Sequence, residues 1–193
     1  AGTGETDWRQ GHLGQVSLLI GQLVDSWEMP DDETIIYHVK KGVHFSYDPN
    51  NLNEAMALVN GREMTAEDIA WSLESEWFVP GMNEAVFFKP EQWIKSAKAL
   101  DRYTVEIKTP AHSQGINLFE SCERISIFPP EVTKKWGNQN DWKRCVGVGA
   151  FVLTDYIPGS SLTFTRTPNY FEHDPFQPEN QLPYIDAMKQ III

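Results

Sequence analysis

Cysteine is scarce in this chain, with two residues, Cys122 and Cys145, in 193. That excludes a disulfide-dense scaffold and a zinc site built from repeated cysteine pairs. Long apolar runs are missing too. The longest, such as Ile191-Ile192-Ile193, fall far short of the roughly 18 residues that mark a membrane-spanning helix. Basic residues are outnumbered, 16 Lys and Arg against 27 Asp and Glu, giving a formal net charge of -11. A surface of that sign repels phosphate, so nucleic acid and anionic lipid are disfavoured as partners. The sequence has no glycosylation sequon, no G-x-S-x-G nucleophile elbow, no H-E-x-x-H zinc motif and no internal repeat. It opens on Ala1 without a visible signal peptide, which suits a processed or excised piece.

What is present reads as globular. Hydrophobic residues make up 41% and charged residues 22%, and a chain this long buries roughly 70% of its unfolded surface. Residues 1–14 are Gly-rich and lack periodicity. Thr34 to Val39 alternates, with Ile35, Tyr37 and Val39 on one face, and predicts a strand ended by Lys40-Lys41-Gly42. Asn51 to Val59 places Leu52, Ala55, Met56 and Val59 at helical spacing, with Asn60-Gly61 as the stop.

Thr65 followed by Asp68 predicts a capping box, in which the Thr hydroxyl accepts from the backbone N–H three residues on and the carboxylate reaches back. The helix behind it presents Ile69, Ala70, Leu73 and Trp77 on one face and ends by Pro80-Gly81. Trp93 to Leu100 fits either a helix face or a strand turning at Asp101-Arg102. Tyr103, Val105 and Ile107 alternate as a strand closed by Pro110. Gly115 to Cys122 reads as helical, and Pro129-Pro130 starts a short helix through Trp136. Phe151 to Tyr156 and Ser161 to Thr165 read as a hairpin around Pro158-Gly159-Ser160, and Ile191 to Ile193 as a buried strand. Strands and helices interleave without regular βαβ spacing, which predicts an α+β fold.

Residues that could carry chemistry do not converge. With 27 acidic residues, adjacent pairs such as Asp31-Asp32 or Glu67-Asp68 arise by chance, and Glu67-Asp68 already serves a helix start. The five histidines, His12, His38, His44, His112 and His173, are scattered, and only His38 and His44 flank one turn. Cys145 with a distant histidine would suit a thiol enzyme, but burial or a disulfide is the simpler reading. Gly147-Val148-Gly149 lacks the third glycine of a dinucleotide loop and leads into a strand, so it offers a phosphate nothing. Tight turning or close backbone approach explains those glycines better. No cofactor or metal is implied.

The ordered motifs resemble the family 5 extracellular solute-binding proteins, the peptide- and nickel-type receptors of ABC importers. Leu23, Ser26, Trp27 and Glu28 match its first block. Lys41, Gly42, Val43 and Phe45 match the second, and Thr65, Ala66, Glu67, Asp68, Ser72 and Leu73 the third. Val146 to Phe151 is similar to its VGTGPF, with Val148 in place of Thr and Ala150 in place of Pro. Arg166-Thr167-Pro168-Asn169-Tyr170-Phe171 and Leu182-Pro183-Tyr184-Ile185-Asp186 are similar to its closing block.

The resemblance implies an α+β first lobe of a type II periplasmic-binding-protein clamp, with mixed or antiparallel sheets, over residues 1–193, and a helical insertion at 46–64. It implies a binding module rather than an enzyme, extracytoplasmic and monomeric, that captures a solute, most readily an oligopeptide, for an ABC permease. An extracytoplasmic ligand sensor on the same fold is the alternative, and a hydrolase a weaker one. In relatives this lobe offers aromatic side chains to the cleft, which puts Trp77, Phe78, Phe87 and Phe88 forward as ligand contacts. Trp27 and Trp71 read as core. A location outside the cytoplasm also makes a Cys122–Cys145 disulfide an expectation.

Overall fold

The alternation at residues 34–39 builds the centre of a sheet in the computed structural model, which describes residues 20–79, 82, 93–115, 117–118, 125–138 and 140–192. The chain separates into two compact units, Ala1–Lys40 with Thr65–Ser126, and Lys41–Met64 with Ile127–Ile193.

In the first unit, β1 (Val24–Asp31), β2 (Thr34–Val39), β3 (Ser96–Asp101) and β4 (Thr104–Lys108) form an antiparallel sheet in the order β1-β2-β4-β3. Ile35 pairs with Ile107 and Tyr37 with Val105, so one buried face runs through the central strands. The ambiguous stretch 93–100 resolves as strand from Ser96 onward, where Ala97 and Ala99 pair with Ile107 and Val105. β1 is a strand that alternation does not reveal. Only Val24 and Trp27 are even half-buried in it. It is an edge strand, which also explains why Pro30, lacking an N–H, is tolerated.

Helix α2 (Ala66–Phe78) packs on β3 and β4, burying Ile69, Ala70, Leu73 and Trp77 as its spacing predicts. The reciprocal capping arrangement is present at its start. Its strong half is the buried Asp68 carboxylate, whose Oδ2 accepts from the Thr65 backbone N–H at 2.8 Å and from the Thr65 hydroxyl at 3.2 Å. The Thr65 side chain faces the Asp68 N–H without closing a strict hydrogen bond. Thr65→Ala is therefore expected to cost about 1 kcal/mol, and Asp68→Ala more, about 2 kcal/mol. Denaturant melts of the two variants check this, and equal losses would contradict a cap carried by the carboxylate.

The second unit holds α1 (Glu54–Val59), α3 (Pro130–Trp136), a 3-10 turn (Trp142–Arg144) and the antiparallel sheet β5 (Phe151–Ile157), β6 (Ser161–Arg166) and β7 (Ala187–Ile191). The segment 46–64, expected to be helical, contributes α1 to this unit. α1 begins three residues later than its apolar spacing suggests, because Asn53 takes the N-cap and its Oδ1 accepts from the Met56 N–H at 2.8 Å. It ends as predicted, with Asn60 left-handed at φ 52. Gly61 follows at φ +62, where a Cβ would sit 3.0 Å from Tyr47 Cβ. α1 packs against α3 and the 3-10 turn.

The β5–β6 hairpin forms where predicted. The buried strand expected at 191–193 is corrected. β7 starts at Ala187, Ile191 is 69% exposed, and Ile193 lies outside the described residues. What holds β7 is its ladder with β6, from Thr165–Ala187 to Ser161–Ile191, rather than burial of its isoleucines. Most of the helix expected at Gly115 to Cys122 also lies outside the described residues.

Candidate functional site

Of the four aromatic side chains put forward as ligand contacts, the structure describes two. Trp77 is 1% exposed and stacks on Trp93, with centroids 6.1 Å apart and planes 19° from parallel. That is core packing. Its neighbour Phe78 is 44% exposed and is the one of the pair that meets solvent. Phe87 and Phe88 lie outside the described residues. So does Cys122, the expected partner of Cys145. Cys145 itself is a half-buried free thiol whose pKa is pushed up by burial and, less, by Asp141. A thiol held protonated in this way is a poor nucleophile. Among the described residues no group of three metal-ligating side chains converges. His38 Nε2 bonds Glu28 Oε1 at 2.7 Å, and His44 Nδ1 bonds the Gly61 carbonyl at 2.8 Å.

Side chains within and next to the motif blocks of the second unit act as backbone anchors. Ser46 gives both its N–H and its hydroxyl to the Gly147 carbonyl, each at 2.7 Å. Asn169 Oδ1 accepts from the Tyr47 N–H and its Nδ2 donates to the Phe45 carbonyl, at 3.0 and 2.9 Å. The Thr167 hydroxyl donates to the Gly149 carbonyl at 2.8 Å. Gly147 and Gly149 have no left-handed φ, and a Cβ on Gly147 would meet nothing within 4 Å. The chain does bend at 148–150, but neither glycine's conformation excludes a side chain. The observed contacts use their carbonyls.

Arg62 ties the same segment to α3. Its Nε and Nη2 donate to Glu131 Oε1 and Oε2 at 2.6 and 2.7 Å, and its guanidinium lies 4.9 Å from the centre of the buried Phe45 ring. The hydrogen bonds from Arg62 hold the Glu131 carboxyl below its ordinary value, against the opposing effect of partial burial. A depressed carboxyl pKa stabilises the fold above the unfolded value, about 4.3, and that stability is lost as pH falls through the folded value. Arg62→Gln is thus expected to cost about 1 kcal/mol at pH 7, with the gap from the parent narrowing at an acid pH well below the unfolded value. Paired melts at the two pH values check it, and a gap that stays constant would contradict the assignment.

Beside these anchors the second unit has a hollow of about 300 Å³, lined by Asn51, Leu52, Asn53, Trp142, Lys143, Leu153 and Thr154. That volume sits at the lower end of small-molecule sites, roughly 300–1,000 Å³. Its walls are fixed. Asn53 caps α1 and donates Nδ2 to the Cys145 carbonyl at 2.8 Å, joining the two loops that flank the opening. Asp141 starts the 3-10 turn by accepting the Lys143 N–H at 3.1 Å. Arg144 pairs with Glu54 at 3.1 Å and Asp141 at 3.7 Å and covers the Trp136 ring at 4.9 Å. Tyr156 meets Trp142 edge-on at 6.3 Å. Apart from the helical spacing that includes Leu52, no sequence signal marks this hollow. Its distant segments meet only in the fold.

A family model described as bacterial extracellular solute-binding proteins, family 5 middle, matches residues 19–193. A curated relative, the probable ABC transporter periplasmic-binding protein SapA of Escherichia coli K12, is 21% identical over 175 residues, 83% of this chain and 31% of its own length. Among solved structures, MoaA from A. tumefaciens R10 in complex with mannopinic acid aligns with a TM-score of 0.69 at 22% identity. It covers 92% of this chain and 31% of MoaA. The oligopeptide-binding protein AppA of Bacillus subtilis, in complex with a nonapeptide, aligns at 0.65 and 20% identity, covering 89% of this chain and 31% of AppA. The chain thus spans about a third of the length of these relatives. The fold is that of the type II periplasmic-binding proteins, in part of their first lobe.

Proposed function

Because the chain belongs to family 5 of the bacterial extracellular solute-binding proteins, we propose that the whole protein captures a solute outside the cytoplasm for an ABC permease, and that the solute is an oligopeptide. The family is one of binding proteins, not enzymes. The observation that carries the transport reading is the match along residues 19–193. SapA, described as a probable ABC transporter periplasmic-binding protein, supports it. The nonapeptide complex of AppA supports the peptide reading. An extended peptide gains main-chain hydrogen bonds as an added strand would, so its affinity depends little on side-chain sequence. Capture between two lobes would close by a hinge motion. Among the described residues no helix is long and apolar enough to cross a membrane.

The MoaA complex with mannopinic acid favours a second reading, a small organic acid as solute. Native mass spectrometry of the whole protein, purified gently from the producing cells, separates the two. Co-purified oligopeptides are expected. A bound small acid would replace the first reading with the second. A protein that carries neither, and gains neither on incubation with both, would contradict solute capture.

A further inference from the structure

The chain carries 16 Lys and Arg at a formal net charge of -11. Arg62, Lys95, Lys108, Arg144 and Arg166 all have carboxylate partners. Lys143, on the wall of the hollow, has none among the described residues, although acid lies close by. Asp141, two residues away, gives its carboxylate to the Lys143 backbone N–H and to Arg144. The Lys143 ammonium rests 5.8 Å from the centre of the Trp142 ring. An ammonium over an indole face, exposed and without a counter-ion, is open to an anion.

The rest of the hollow sets the shape of that anion. Trp142, Leu52 and Leu153 give it flat and branched apolar walls, while Asn51 and Thr154 offer neutral polar atoms at the edge. The Tyr156 ring meets Trp142 edge-on. No lining side chain is acidic. We propose that this hollow binds a small carboxylate with a flat apolar body, its carboxylate on Lys143 and its body against Trp142. The volume of about 300 Å³ limits the occupant to a molecule well below the size of an oligopeptide. The site therefore goes beyond the transport reading and does not depend on it. All seven lining residues belong to the second unit of this chain.

The test is NMR of the full chain with phenylacetate, phenylacetamide and phenethylamine as probes, reading the Trp142 indole signal and the Leu153 and Thr154 amides. Phenylacetate is expected to shift these signals saturably, the amide to bind several-fold more weakly, and the amine to leave them unmoved. Lys143→Gln, an exposed change that leaves the fold intact, is expected to weaken phenylacetate about three- to fivefold, the scale of an exposed ion pair. It should leave phenylacetamide unchanged. Trp142→Leu is expected to remove binding of both. Equal binding of acid and amide, an unaffected Lys143→Gln variant, or no shift at these three residues would overturn the proposal. A whole protein that failed to capture any transported solute would not alter these outcomes, so the two readings fail separately.

Discussion

Trp77→Ala is expected to cost about 3–5 kcal/mol, the range for removing a large buried aromatic. Trp77 is 1% exposed, the largest fully buried side chain described, and it stacks on Trp93. It closes the α2 face that covers β3 and β4. No neighbour can collapse into so large a void without moving α2, so the cavity adds to the lost transfer energy. Phe78→Ala, one residue on but 44% exposed, should change stability by under about 1 kcal/mol. Urea unfolding of the two variants checks both. A Trp77→Ala variant as stable as the parent would contradict the core role.

Phe45→Ala is expected to cost a similar amount, about 3–5 kcal/mol, in the second unit. Phe45 is fully buried, and both of its backbone polar groups are bonded. Its N–H donates to the Arg62 carbonyl at 3.0 Å, and its carbonyl accepts from Asn169. The ring also supports the Arg62 guanidinium, which carries the Glu131 pair. Losing the ring thus removes packing and loosens an ion pair together. A double-mutant cycle of Phe45→Ala with Arg62→Met should show coupling of about 0.5–1 kcal/mol. Strict additivity would mean that the ring and the cation do not sense each other.

Much of this was legible where a single local rule decides. Two-residue alternation gave β2 and β4, each with buried alternate positions, and the Pro158-Gly159-Ser160 turn gave the β5–β6 hairpin. The Thr65 and Asp68 pair located the start of α2, although the carboxylate does more of the capping than the hydroxyl. β1 was not legible, since an edge strand exposed on both faces has no apolar period to show. The isoleucines at 191 and 192 misled, because apolar composition predicts burial and β7 is held instead by its ladder. The family motifs were readable as a pattern but not as a mechanism. That Asn169, inside a motif block, serves the backbone of a distant segment is a fact of tertiary contact. The hollow was hidden for the same reason, since its residues are about 90 positions apart in the chain, from Asn53 to Lys143.

Calorimetric titration of the whole protein with a defined set of oligopeptides and small organic acids tests solute capture most directly. Saturable one-to-one binding of oligopeptides is expected, micromolar or tighter, a free energy of about -8 kcal/mol or better. A folded protein that gives no binding heat and no shift in melting temperature with any member of either class would contradict it.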